Sequence, residues 1–291
     1  MAEAPPGREK LISYEGQLSE RYLVLLKRCL TRYLFDEPFT LVDVPRGSLK
    51  GAMWQPIRAF LRRKGYTLVR PLPFDPDARA EGRDRPAAAE TMVGLRRLDN
   101  VQHCIRDVLS RGVPGDLIEC GVWRGGVAIF MRACLLAYGD STRTVWVADS
   151  FRGLPKPKPE LYPADAGLDL WRWPQLAVSA QEVRANFSRY DLLDERVCFL
   201  EGWFSETLPS APIERLALLR IDADLYESTM DALSCLYRKV SPGGYVIVDD
   251  YGAIPACRQA VEDFRERFDI SEPLHQVDWT AVYWQKARET E

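Results

Sequence analysis

Four aspartates close two apolar runs. Asp222 and Asp224 follow Leu216–Ile221, and Asp249 and Asp250 follow Tyr245–Val248. If these runs are neighbouring parallel strands, four carboxylates meet on one rim. Carboxylates that close repel one another unless they are protonated or bind a cation. An all-oxygen set favours a hard ion: Mg²⁺, Ca²⁺ or Mn²⁺. Mg²⁺ keeps coordination positions for water or substrate oxygens. The rim therefore predicts a hydroxylated substrate held partly through a metal. Metal contact makes a hydroxyl more acidic, and a nearby carboxylate can take its proton. Asp222, Asp249 and Asp250 are assigned to the metal and Asp224 to the general base.

A second group of residues points to a cofactor. The run Asp116–Cys120 leads into Gly121-Val-Trp-Arg-Gly-Gly126. A dinucleotide fingerprint beginning at Gly121 wants glycine at 121, 123 and 126. Position 123 is Trp, where the backbone would have to approach a pyrophosphate closely. This opposes a nicotinamide-dependent oxidoreductase and favours a ligand with no phosphate at this turn, such as S-adenosylmethionine. Glu119 could meet the ammonium of that ligand, and the Gly125–Gly126 turn its carboxylate. Asp149 ends the next apolar run, where an acid can accept both ribose hydroxyls. Glu201-Gly202-Trp203 ends the third, with Trp203 placed to stack on adenine.

These residues require an ordered scaffold. From residue 116 onward short apolar runs alternate with amphipathic segments. Asp116–Cys120, Thr144–Ala148, Arg196–Leu200, Leu216–Ile221 and Tyr245–Val248 read as strands. Gly126–Ala137, Ala180–Tyr190, Ser228–Val240 and Ala256–Phe268 read as helices. This alternation predicts an α/β fold with a doubly wound, mostly parallel sheet. The tail 275–285 predicts a final antiparallel pair. Ahead of this domain, residues 1–15 read as mobile. Helical spacing runs over Gly16–Leu34, Trp54–Lys64 and Thr91–Ser110. Asp43–Lys50 reads as a loop, and the Pro-rich, charged stretch 70–90 as a linker or flap. The expected division is a helical extension and flap over 1–90 and an α/β domain over 91–291.

Composition narrows the class. The 291 residues carry 39 Lys and Arg against 42 Asp and Glu, a net charge of −3. This lacks the overall basic footprint of a nucleic-acid binder. No apolar run approaches the roughly 18 residues of a membrane span, and the N-terminus has no signal-peptide core. The seven cysteines are widely spaced and form no CxxC. They read as reduced and buried, which implies a cytoplasmic protein. With His103 and His275 the two histidines and the cysteines widely spaced, no His/Cys zinc site is expected.

The ordered set GDLIECGVWRGG, VWVADSFRGLP, FLEGWF, RIDADLYEST, LSCLYRKVSPGGYVIVDDY and VDWTAVYW resembles the macrocin O-methyltransferase family over about Thr91–Gln285. The resemblance implies a class I methyltransferase sheet using S-adenosylmethionine and Mg²⁺, acting on a sugar hydroxyl of an antibiotic-like glycoside, and a homo-oligomer. A catechol-like or other vicinal-diol acceptor is the alternative. Carried over by motif, the metal set is Asp222, Asp249 and Asp250, and the base is Asp224. The cofactor set is Thr91, Met92, Glu119, Gly121, Asp149, Ser150, Ser179, Glu201, Gly202, Trp203 and Asp222. The loop Arg152–Gln175 and the stretch 36–85 depart from the family pattern, and both could shape the acceptor pocket.

Overall fold

The computed structural model describes residues 8–35, 39–42, 49–71, 73–84 and 86–287. Two short strands, β1 (Phe39–Leu41) and β2 (Val69–Pro71), pair antiparallel as a separate ribbon. The main sheet holds β3 (Asp116–Cys120), β4 (Val145–Asp149), β5 (Val197–Glu201), β6 (Leu216–Ile221), β7 (Val240–Val248), β8 (His275–Gln276) and β9 (Val282–Gln285). Their order is β5-β4-β3-β6-β7-β9-β8. Strands β3 to β7 run parallel, and β9 pairs antiparallel with β7. The chain winds outward from β3 to β5, then returns to place β6 on the other side of β3. That reversal opens a crevice at the carboxyl ends of the strands, where ligands of doubly wound sheets collect. The expected architecture, including the antiparallel C-terminal strand, is the one observed.

Nine helices lie among the described residues: α1 (Arg8–Leu30), α2 (Leu49–Arg63), α3 (Pro76–Ala80), α4 (Leu95–Ser110), α5 (Gly126–Ala137), α6 (Ala180–Arg189), α7 (Phe204–Thr207), α8 (Tyr226–Leu236) and α9 (Pro255–Arg267). Successive strand residues face opposite sides, and the core divides accordingly. Leu117, Val145 and Val147 pack beneath α1, α4, α5 and α6. Ile118, Trp146 and Ala148 pack beneath α8 and α9. Helix α5 is buried over most of its length, from Gly126 to Leu135, which explains its lack of a polar face.

Several boundaries differ from the sequence reading. Helix α1 begins at Arg8 within the segment read as mobile and stops at Leu30; residues 1–7 lie outside the described residues. Its Leu23, Leu26 and Leu30 are buried in the same layer as α4 and α5. Helix α2 starts at Leu49, so the loop expected over 43–50 ends there, and 43–48 lie outside the described residues. The helix read from Thr91 starts at Leu95. The helix read over Ser228–Val240 runs over Tyr226–Leu236, followed by a 3₁₀ turn and then β7 from Val240; Leu233, Leu236 and Val240 keep helical spacing across that boundary, which carried the reading past the helix end.

The stretch 70–90 is anchored. Arg79 is buried, donates to the carbonyls of Thr31 and Arg32, and pairs with Asp84 at 2.5 Å. Trp279 Nε1 donates to the Glu81 carbonyl. Charge in this stretch serves docking, which a composition-based linker reading cannot distinguish from solvation.

Candidate active site

The first strand-to-helix turn is set by close backbone approach. Gly121 has φ +86°, and a Cβ there would lie 1.8 Å from the Asp222 carbonyl oxygen. Only glycine lets the ends of β3 and β6 come this near. At Gly126 a Cβ would lie 2.6 Å from the Glu90 carbonyl, and the Gly126 N–H donates to that same oxygen at 3.0 Å. This bond straps the Glu90–Met92 segment over the start of α5. Between these glycines Trp123 adopts φ 48°, and its Nε1 donates to the Gln175 carbonyl at 2.9 Å. A bulky residue with positive φ is uncommon and costs energy; here it ties the turn to the long loop.

A cavity of about 430 Å³ opens at the crevice. Gly121, Trp123, Asp149 and Ser150 form one part of its wall, with Met92 beside them. Gly202 and Trp203 continue it after β5, and Asp222 and Asp224 after β6. The Asp149 carboxylate accepts the N–H groups of Val122 and Phe151, both at 2.8 Å. Burial raises its pKa, and these N–H groups work against that rise. Each oxygen retains a lone pair for a further donor. Ser150 Oγ donates to the Gly153 carbonyl at 2.6 Å.

Other expected cofactor residues lie behind or beside this wall. Glu119 is buried and takes Arg220 Nη1 at 2.6 Å. Burial pushes its carboxyl up to about 8. Thr91 is buried, its Oγ1 accepting the Val93 N–H. Ser179 caps α6 by accepting the Glu182 N–H at 3.2 Å. Glu201 is exposed and pairs with Arg184 at 3.0 Å.

The acidic rim assembles as the parallel register of β6 and β7 dictates. One carboxylate oxygen each from Asp222, Asp249 and Asp250 lies within 4.8 Å of the other two. Asp249 is buried and accepts Arg220 on one oxygen and Arg97 on the other. Burial opposes its ionisation, but the Arg220 and Arg97 guanidiniums outweigh it and hold its carboxyl below the ordinary value. Asp222 accepts Arg220 Nη2 at 3.0 Å; burial and the Asp249 charge push it up to about 6. Burial, then the charges of Asp224, Asp222 and Asp249, raise Asp250 well above its ordinary value. Asp224 has φ 58° and donates its N–H to Asp250 Oδ2 at 3.2 Å. Three close oxygens, with two carboxyls strained toward protonation, suit a hard divalent cation.

Beneath the rim lie residues that the sequence reading missed. Arg220 bridges Glu119, Asp222 and Asp249, and Arg97 on α4 bridges Asp249 and Asp278. The signal for Arg220 was present: one cation inside the apolar run LALLRI, two residues before Asp222 and so on the same face. Arg97 carried no such signal, because its partners lie 152 or more residues along the chain. The loop after β4 is pinned by Asp165, which is fully buried and accepts the N–H groups of Tyr226 and Glu227 at 2.7 and 3.2 Å.

Residues 19–286 match the family model described as Macrocin-O-methyltransferase (TylF). The chain is 57% identical over 211 residues to the 8-demethyl-8-(2,3-dimethoxy-alpha-L-rhamnosyl)-tetracenomycin-C 4'-O-methyltransferase of Streptomyces olivaceus, covering 72% of this chain and 80% of that protein. It is 49% identical over 271 residues to the mycinamicin III 3''-O-methyltransferase of Micromonospora griseorubida, covering 92% and 97%. Among solved structures, the O-methyltransferase NovP superposes with a TM-score of 0.79 at 46% identity, covering 93% of this chain and all of that one. Family match, close relatives and the winding of the sheet agree: the chain is an O-methyltransferase and belongs to the macrocin O-methyltransferase family.

Proposed function

We propose that this chain methylates a hydroxyl of a sugar on a natural-product glycoside, using S-adenosylmethionine and Mg²⁺. The observation that carries the reading is one shared edge. Asp222 and Asp224 line the cavity and also border Asp249 and Asp250. A cofactor in the cavity and an acceptor on the rim would therefore meet at Asp224. The relatives that methylate a rhamnosyl-tetracenomycin and mycinamicin III support a glycoside acceptor.

Bound S-adenosylmethionine would supply an electrophilic methyl group, and bound Mg²⁺ would make a hydroxyl it touches more acidic. The chain's own residues do the rest. Asp149 and Ser150 receive the ribose, and Gly121, Gly202 and Trp203 shape the walls around the adenosine. Thr91 and Met92 form the strap that closes over it and excludes water. Glu119, Ser179 and Glu201 act from outside the wall: Glu119 fixes Arg220, Ser179 fixes α6, and Glu201 holds the end of β5. Asp222, Asp249 and Asp250 hold the cation, and Asp222 also borders the cofactor. Asp224 accepts the hydroxyl proton on its carboxylate. Arg97 and Arg220 keep Asp249 ionised and in place. The division into an extension over 1–90 and a catalytic domain over 91–291 belongs to the same reading, as does a homo-oligomer.

Calorimetry with S-adenosylmethionine and S-adenosylhomocysteine, with and without Mg²⁺ and beside an NAD control, tests the proposal. Binding of the sulfur ligands with NAD silent is expected. Silence from all three in folded protein would remove the cofactor reading.

A further inference from the structure

Helix α1 closes on itself only in part. The Tyr33 N–H bonds the Arg28 carbonyl at 2.8 Å, and the Arg32 N–H bonds the Cys29 carbonyl at 3.0 Å. Arg32 takes φ 57° to complete this motif, at the position where glycine is usual. The motif satisfies Arg28 and Cys29 but not Leu30 or Thr31, whose carbonyls must find donors elsewhere in the fold. Both residues are buried, so an unmet carbonyl here would be costly. Leu30 accepts the Glu90 N–H at 3.1 Å. Thr31 accepts Arg79 Nη1 at 3.2 Å, and the same nitrogen reaches the Arg32 carbonyl at 2.7 Å.

Both donors belong to segments that hold the cavity wall. Glu90 directly precedes Thr91 and Met92, and Met92 lines the cavity. The Glu90 carbonyl accepts the Gly126 N–H, so one residue joins the end of α1 to the start of α5. Its buried carboxylate accepts the hydroxyl of Tyr190, the residue that ends α6. Arg79 seats a second support. The residues after it press against the other end of the strap: a Cβ on Gly94 would fall 2.2 Å from the Ala80 carbonyl oxygen. Helix α1 is itself held fast, with Leu23, Leu26 and Leu30 in the core and Lys27 Nζ donating to Gln102 at 2.8 Å. Leu30, Thr31, Arg79 and Glu90 are not among the residues that line the cavity. Whatever they do for a ligand, they do through the strap.

We propose that the carboxyl end of α1 completes the cofactor site by seating the strap that carries Thr91 and Met92, with Arg79 and Glu90 as its positioning residues. The inference rests on the S-adenosylmethionine reading above. A seated strap keeps Met92 in the wall before the ligand arrives. A strap without its seat spends time in positions where that wall is open, and apparent affinity falls with the seated fraction. The N-terminal segment is then part of the site rather than an appendage to it.

The test is calorimetric binding of S-adenosylhomocysteine to the full chain, well below every melting temperature, beside hydrogen exchange of the same proteins. Arg79→Ala removes both bonds to the α1 end and should lower affinity about tenfold, since each bond is worth roughly three- to tenfold in such an equilibrium. Tyr190→Phe removes only the donor to Glu90 and should lower affinity about threefold; it carries the test if Arg79→Ala does not fold. In both, amides of residues 87–94 should exchange faster while those of β3 keep their protection. Asp140→Ala is the control for lost stability, because the turn from α5 to β4 lies at the amino ends of the strands, away from the cavity. It should bind like the wild type. Affinity within twofold of the wild type in both Arg79→Ala and Tyr190→Phe overturns the inference and leaves the cofactor reading standing. So does a loss in Asp140→Ala as large as that in Arg79→Ala, which would trace the effect to stability alone. A wild type that does not bind S-adenosylhomocysteine overturns both.

Discussion

Asp224 sits where the cavity and the grouped aspartates meet, with its N–H on Asp250 and its own backbone in the left-handed region. Asp tolerates that conformation better than most residues, so Asn is the substitution that keeps the turn. Asp224→Asn is expected to lower kcat by about 10²–10⁴-fold, the usual scale for a lost general base. S-adenosylhomocysteine affinity should stay within about threefold, because the cavity wall is unchanged. Turnover near the wild-type rate would take Asp224 out of the base role. The residue types of this rim were legible as sequence because acids after apolar runs need no long-range knowledge. The cations that balance them were not, since Arg97 meets Asp249 only through the folded sheet.

Turns and loops hold these side chains in place, and two of them can be tested directly. Asp140 closes the turn from α5 to β4, accepting the N–H groups of Thr142 and Arg143 at 2.9 and 3.0 Å. Burial works against its ionisation, but these bonds and the Arg143 guanidinium hold its carboxyl below 3.8. A depressed acid contributes stability above its unfolded pKa and loses it as pH falls through the lower folded value. Asp140→Ala should therefore cost about 1–2 kcal/mol at pH 7. The gap to the wild type should narrow as pH falls below the unfolded Asp value of about 3.9, measured by urea titration at several pH values. Asp165 ties the long loop to the start of α8. Asp165→Ala should release that loop, seen as faster limited proteolysis between residues 152 and 178 with the rest of the domain intact. Unchanged cleavage would mean that other contacts anchor the loop. Element types from residue 116 onward were readable because helix and strand periods differ. The docking of 70–90 was not, because Arg79 and Trp279 find their partners only in three dimensions.

At the scale of the whole molecule, α1 has two faces. Leu23, Leu26 and Leu30 are buried, whereas Leu18, Tyr22, Val24 and Leu25 are exposed. The second face is the surface on which the proposed homo-oligomer would form. Leu25→Glu, with a side chain 54% exposed in the single chain, should lower the mass seen by light scattering while leaving the melting temperature within a few degrees. A wild type that is already a monomer at working concentration would end that proposal. Amphipathic spacing alone revealed the helix; it could not say which of its two apolar faces the chain would bury for itself.

The buried floor beneath the rim also has a history in time. Arg97 joins Asp249 across 152 residues, and Arg220 joins Glu119 across 101. Contacts so distant along the chain wait for loop closure, which slows their formation. Until β3, β6 and β7 are aligned, two guanidiniums and their acids have no reason to leave water. Refolding should then show two clocks. Far-ultraviolet ellipticity returns first, as the helices form, and competence to bind ligand returns later, with the last ion pairs. In this molecule, recovering shape and recovering chemistry are separate events.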